Sequence, residues 1–232
     1  MNTTNNKLRL FLDVLLFGSI WGILEATLGT VLHLPFFDKM GMYMASSTIM
    51  VPIAFILLGV CYKRTGKFYA LPMMGVVASL LKLSVAFVIG FRPSVYNPAI
   101  YIIVESLVMM GAVAAIRPTK VLSFKMLGSV ILASTSYQFT YLLLNMAMGG
   151  TNIFASQKAW EAVGEFYLIT MNGLSILYMF AFGAICFGVT KLLEAVHFEF
   201  KWDINKLIYS PITASASFVV ALALTLTFAV LF

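Results

Sequence analysis

Seven apolar stretches of bilayer-spanning length, joined by short polar connections, leave this chain few ways to fold. They fall at about Leu8–Leu32, Gly41–Cys61, Phe68–Phe91, Pro98–Ile116, Phe124–Met148, Glu165–Thr190 and Ile208–Phe232. A helix of about 20 apolar residues crosses the hydrocarbon layer, where every backbone polar group must be satisfied from within. Seven such helices use roughly 140 residues of the 232. The remainder suffices for connections and leaves no room for a separate catalytic or nucleotide-hydrolysing domain. Charged residues make up 10% of the chain, against about 25% in a soluble domain. The expected class is an all-α polytopic membrane protein. Residues 1–193 are expected to form a six-helix bundle, 194–207 an interfacial linker, and 208–232 an additional C-terminal helix.

The basic residues set an orientation. Lys7 and Arg9 lie at the start of the first run, Lys63, Arg64 and Lys67 follow the second, Arg117, Lys120 and Lys125 follow the fourth, and Lys191, Lys201 and Lys206 follow the sixth. The alternate connections hold one each: Lys39, Arg92 and Lys158. Short basic loops stay in the cytoplasm, so the N-terminus is expected inside a prokaryotic plasma membrane and the C-terminus outside. The net charge of +6 thus reflects membrane topology, and nucleic acid is not an expected partner. The first run is too long for a cleaved signal peptide and holds Asp13 and Glu25. Glu194–Lys206 mixes charges with Phe198, Phe200 and Trp202, which suits an anchor at headgroup depth in membrane lipid.

Ionisable side chains inside apolar runs cost several kcal/mol unless they pair or line a cavity. Glu25, Lys82 and Glu105 lie seven to nine residues from the outer ends of runs one, three and four, a depth of about 10–14 Å at the helical rise. Ser46, Ser47 and Thr48 of run two and Asn172 of run six reach the same layer. In run five, Ser134, Gln138, Tyr141 and Asn145 share one helical face. Trp21 is one turn from Glu25, and Tyr101 one turn from Glu105, each placed to stack on a planar ligand or simply to pack. The expected binding residues are therefore Glu25, Lys82, Glu105, Gln138, Asn172, Trp21, Tyr101, Ser47, Tyr141 and Asn145. In the connecting segments, His33, Arg92, Tyr96 and Asn97 are candidates for a lid or for an interfacial aromatic belt. A buried ion cluster that only fixes helix packing is the competing reading, but two carboxylates against one ammonium leave an odd charge.

No cofactor, metal site or enzymatic motif is expected. His33 and His197 fall on opposite sides of the membrane, and Cys61 and Cys186 form no paired motif. GVCYKRTGKF at Gly59–Phe68 lacks both the glycine spacing and the Ser or Thr of a phosphate loop.

GSIWGILEATLGTVLHLP at Gly18–Pro35 and RPSVYNPAIYIIVESLVMMG at Arg92–Gly111 resemble the substrate-binding S components of energy-coupling factor (ECF) vitamin transporters, over about the first 120 residues. The resemblance implies six helices and a small-molecule pocket near the outer face, capped by loops. It also implies a transmembrane coupling subunit, docked on a small-residue face of the first helix, and two ATPase subunits. Gly18, Gly22 and Ala26 match that docking face. The seventh run departs from the pattern, and the histidine-rich N-terminus of cobalt and nickel members is missing. On this reading the chain captures a small polar molecule, vitamin-like, cationic or zwitterionic, and partner ATPases supply the energy. A stand-alone proton-coupled transporter and a non-transport assembly or structural protein are the alternatives.

Overall fold

The computed structural model describes residues 3–31, 45–119, 123–147 and 210–231, with isolated positions between 173 and 184. Side chains at 3–6, 30, 45–48, 93–94, 142 and 145–147 fall outside the description. The expected sites His33 and Asn172 and the side chains of Ser47 and Asn145 therefore lie outside the described residues, as do Cys186 and most of the sixth run.

The described chain is all-helical: α1 (Thr3–Val31), α2 (Ala45–Thr65), α3 (Ala70–Ser84), α4 (Ala86–Ile89), α5 (Pro93–Ile116), α6 (Phe124–Ala147) and α7 (Pro211–Leu231). Four stretches among the described residues are long and apolar enough to cross a membrane: Lys7–Gly29, Ala70–Ile89, Val95–Ile116 and Pro211–Leu231. That is fewer than the seven runs expected. The 24-residue α6 has the length, but serine, threonine and glutamine interrupt its apolar run. The fold is an all-α membrane protein, and four is the number of spans the description supports.

The helices pack as a row, α7 against α1, α1 against α3, α3 against α5 and α5 against α6, with α2 laid across α1, α3 and α5. Trp21, Phe55, Leu58, Leu71, Met74, Leu81, Ile102 and Met109 close the middle of this row. Large apolar side chains cover the outside: Phe87 is 91% exposed, and Leu80, Leu107, Phe139 and Val219 are also exposed. In water such a surface would aggregate. Around a bundle whose backbone is paired internally, it is what acyl chains require.

The close seams are made of small residues. A Cβ on Gly18 would lie 2.7 Å from Val77 Cβ, one on Gly22 2.6 Å from Leu81 Cδ1, and one on Gly75 2.6 Å from Ser106 Cβ. These glycines let α1 and α5 approach α3 from two sides. Gly18, Gly22 and Ala26, expected to dock a separate subunit, all lie in packed positions of this chain. Val77 and Leu81 of the same chain fill the glycine face, and Ala26 is buried. α1 is also flanked by α7, whose buried positions Ala214, Ala221 and Thr225 are again small.

Helix ends differ from expectation in two informative places. The third run breaks at Val85. The Ser84 hydroxyl donates to the Leu81 carbonyl at 2.6 Å, and the Val85 N–H turns to Lys82 O at 3.3 Å. That hydroxyl competes for the carbonyl an unbroken helix would use, so Lys82 sits in the last turn of α3. Gly90, with φ of 82°, then ends α4. The expected lid segment at residues 92–97 is helical from Pro93 onward. Arg92 is extended at the N-cap and Pro93 opens α5, the position where proline's missing N–H does least harm. Pro98 lies inside the helix and does not start it.

Candidate functional site

Asp13 and Arg64 mark one end of the bundle. Arg64 Nε donates to Asp13 Oδ1 at 2.9 Å, joining α2 to α1, and Lys63 Nζ donates to Thr119 O at 2.6 Å. Arg117 closes α5 at this same end, in a left-handed conformation with its N–H on Val113 O. The candidate site lies toward the opposite end.

There the chain brings together Trp21 and Glu25 of α1, Lys82 of α3, Tyr101 and Glu105 of α5, and Tyr137 and Tyr141 of α6. Trp21 Nε1 donates to Glu25 Oε1 at 3.3 Å, an i to i+4 contact within one helix. Lys82 Nζ donates to the backbone carbonyl of Glu25, also at 3.3 Å. No ion pair within 4 Å joins Lys82 to Glu25 or Glu105, although its ammonium interacts electrostatically with Glu25. The ammonium thus ties α3 to α1 through the main chain and makes no ion pair with either carboxylate.

Glu105 is 4% exposed. It accepts a hydrogen bond from the Tyr137 hydroxyl, and the Glu25 charge is within electrostatic reach. Its Oε2 is buried and has no hydrogen-bond partner among the described residues. A buried carboxylate oxygen without a donor costs more than an unpaired neutral group, so the position calls for a cation or an N–H. Tyr137 belongs to a cluster of three tyrosine rings. Tyr101 and Tyr141 lie 4.5 Å apart between ring centroids, Tyr137 and Tyr141 6.0 Å apart, and Phe55 meets Tyr137 edge-on at 6.4 Å. The Ser79 hydroxyl donates to Ala99 O at 3.0 Å and, with the Gly75–Ser106 contact, fixes α5 on α3.

The remaining expected residues scatter. Gln138 is buried, and its Nε2 has no partner among the described residues. Tyr96 and Asn97 are half-buried in the first turns of α5, and Arg92 is exposed at its start. Asn97 Oδ1 is buried and unpartnered among the described residues. Sequence reasoning missed Tyr137. The stripe at Ser134, Gln138, Tyr141 and Asn145 selected one edge of the buried face, and Tyr137 lies on the other edge together with Ala133. The signal that could have found it is the spacing of Ala133, Tyr137 and Tyr141. Among the described residues, no three His, Cys, Asp or Glu side chains cluster as metal ligands.

No family model, curated protein or solved structure matches this chain.

Proposed function

We propose that this chain captures a small organic cation within the membrane for uptake. The observation that carries the reading is Glu105 Oε2, buried and without a donor among the described residues, on a side chain that meets Tyr137 of the tyrosine cluster. Tyrosine faces attract a positive charge by about 0.5–2 kcal/mol. Two carboxylates, one ammonium held on a backbone carbonyl, and the Tyr101, Tyr137 and Tyr141 rings complement a protonated amine better than a neutral or anionic molecule. The N-terminus is cytoplasmic in this proposal, the C-terminus is outside, and the site opens to the outside of a plasma membrane. Energy comes from separate ATPase subunits, as the ECF resemblance implies.

The second reading is a stand-alone proton-coupled transporter. The internal packing of Gly18 and Gly22 favours it, because the face assigned to a coupling subunit is already filled.

Reconstitution of this chain alone tests both. A capture subunit binds labelled amine and does not accumulate it, whatever the proton gradient. Accumulation that follows an imposed proton gradient selects the second reading. Glu105→Gln should weaken amine binding at least tenfold, since a charged hydrogen bond is replaced by a neutral one. Unchanged binding in both Glu105→Gln and Lys82→Ala would sink the site.

A further inference from the structure

Asn97, Tyr101 and Glu105 follow one another at intervals of four along α5, so they form one stripe. At its two ends the stripe carries a buried acceptor with no hydrogen-bond partner among the described residues, Asn97 Oδ1 and Glu105 Oε2, and the Tyr101 hydroxyl between them is buried as well. Eight residues of helix separate them, about 12 Å along the axis. Between them lies Tyr101, its ring against Tyr141 of α6. The antiparallel neighbour keeps this order, because Tyr137 meets Glu105 and Tyr141 meets Tyr101. The stripe therefore runs from an acceptor in the opening turns of α5, past aromatic faces, to an anionic acceptor half-way along the helix.

A compact cation would satisfy Glu105 and leave Asn97 Oδ1 buried without a donor. A quaternary ammonium would satisfy neither oxygen, because it has no N–H to give. From this geometry we infer that the ligand is an elongated organic cation with an N–H donor at each end, a linear α,ω-diamine or polyamine. One ammonium sits at Glu105 with the Glu25 charge within reach. The methylene chain lies over Tyr101 and Tyr141, and the second amino group donates to Asn97. This rests on the cation-capture reading and adds the length and two-ended character of the ligand.

The test is calorimetric titration of the full chain in detergent micelles with two amine series, n-alkylamines and α,ω-diaminoalkanes, from four to ten carbons. The expected result is a diamine optimum at intermediate length, where the diamine binds about tenfold more tightly than the monoamine of equal carbon number. That gap is the worth of one charge-assisted hydrogen bond. Asn97→Leu should close the gap. Asn97→Asp should widen it, and it keeps the test alive if the leucine variant does not fold. Glu105→Gln should weaken both series. Equal affinities for monoamines and diamines, or a gap untouched by either Asn97 variant, would overturn the two-ended ligand and leave the cation site standing. Failure of every amine to bind would overturn both.

Discussion

Asp13 shows what a single buried charge demands in this chain. It is 2% exposed and is held by the Arg64 guanidinium. Removing one partner of such a pair leaves an uncompensated charge, at a cost of about 3–5 kcal/mol. Arg64 is partly exposed, so the lower end of that range applies. Arg64→Ala should lower the unfolding temperature measured by intrinsic fluorescence in detergent, and Asp13→Asn in the same background should recover most of the loss. A second residue carries a different expectation. Tyr137→Phe removes the hydroxyl that donates to Glu105, so the ligand-free protein should lose about 1–3 kcal/mol. Added amine should stabilise this variant more than it stabilises the parent, because it then satisfies two bare oxygens. At this scale the sequence was informative where depth could be counted. Glu25, Lys82 and Glu105 lie seven to nine residues from the outer ends of their apolar runs, and α1, α3 and α5 do bring them together. Lys82 bonding to a carbonyl was not legible, because it depends on the break that Ser84 introduces at the end of α3.

The helices of this chain meet where side chains are missing. Gly22 admits Leu81, Gly18 admits Val77, and Gly75 admits Ser106. Gly22→Ala would push a methyl group against Leu81 Cβ and Cδ1, a backbone-near contact that a rotamer change does not relieve. It should destabilise the protein by about 1–3 kcal/mol. Gly111→Ala is the matched control. Its added Cβ meets nothing within 4 Å, so the gain in helix propensity should leave stability unchanged or raised by up to about 1 kcal/mol. Thermal unfolding of the two variants side by side checks both directions. The small-residue face of α1 was visible in the sequence, but the neighbour that fills it was not. Small residues signal close approach without naming the helix that approaches, and chain order did not reveal α3 and α7 as neighbours of α1.

For the whole molecule, the apolar exterior and the sealed interior make opposite predictions about chemical access. Cys61 of α2 is fully buried in the core. In a Cys186→Ser background, a membrane-permeant maleimide should leave Cys61 unmodified in the native protein and label it after denaturation in SDS, read by intact mass. Labelling under native conditions would contradict the packing of α2 across the row. The helical class was legible from run lengths alone. The number of spans was less so, because run length says only that a stretch could cross, and α6 spends part of its length on the polar face it turns to α5.

Trp21 and Glu25 have a consequence for how the chain is made. Lys82 lies 57 residues after Glu25, and Glu105 and Tyr137 come later still. At about 5–20 residues per second, the first helix waits about 3–11 seconds at the insertion machinery before the lysine exists. During that interval its carboxyl group has one donor within its own helix, the indole N–H one turn earlier. A helix that brings its own interim partner can leave the ribosome's exit path and enter lipid before the rest of the bundle has been translated.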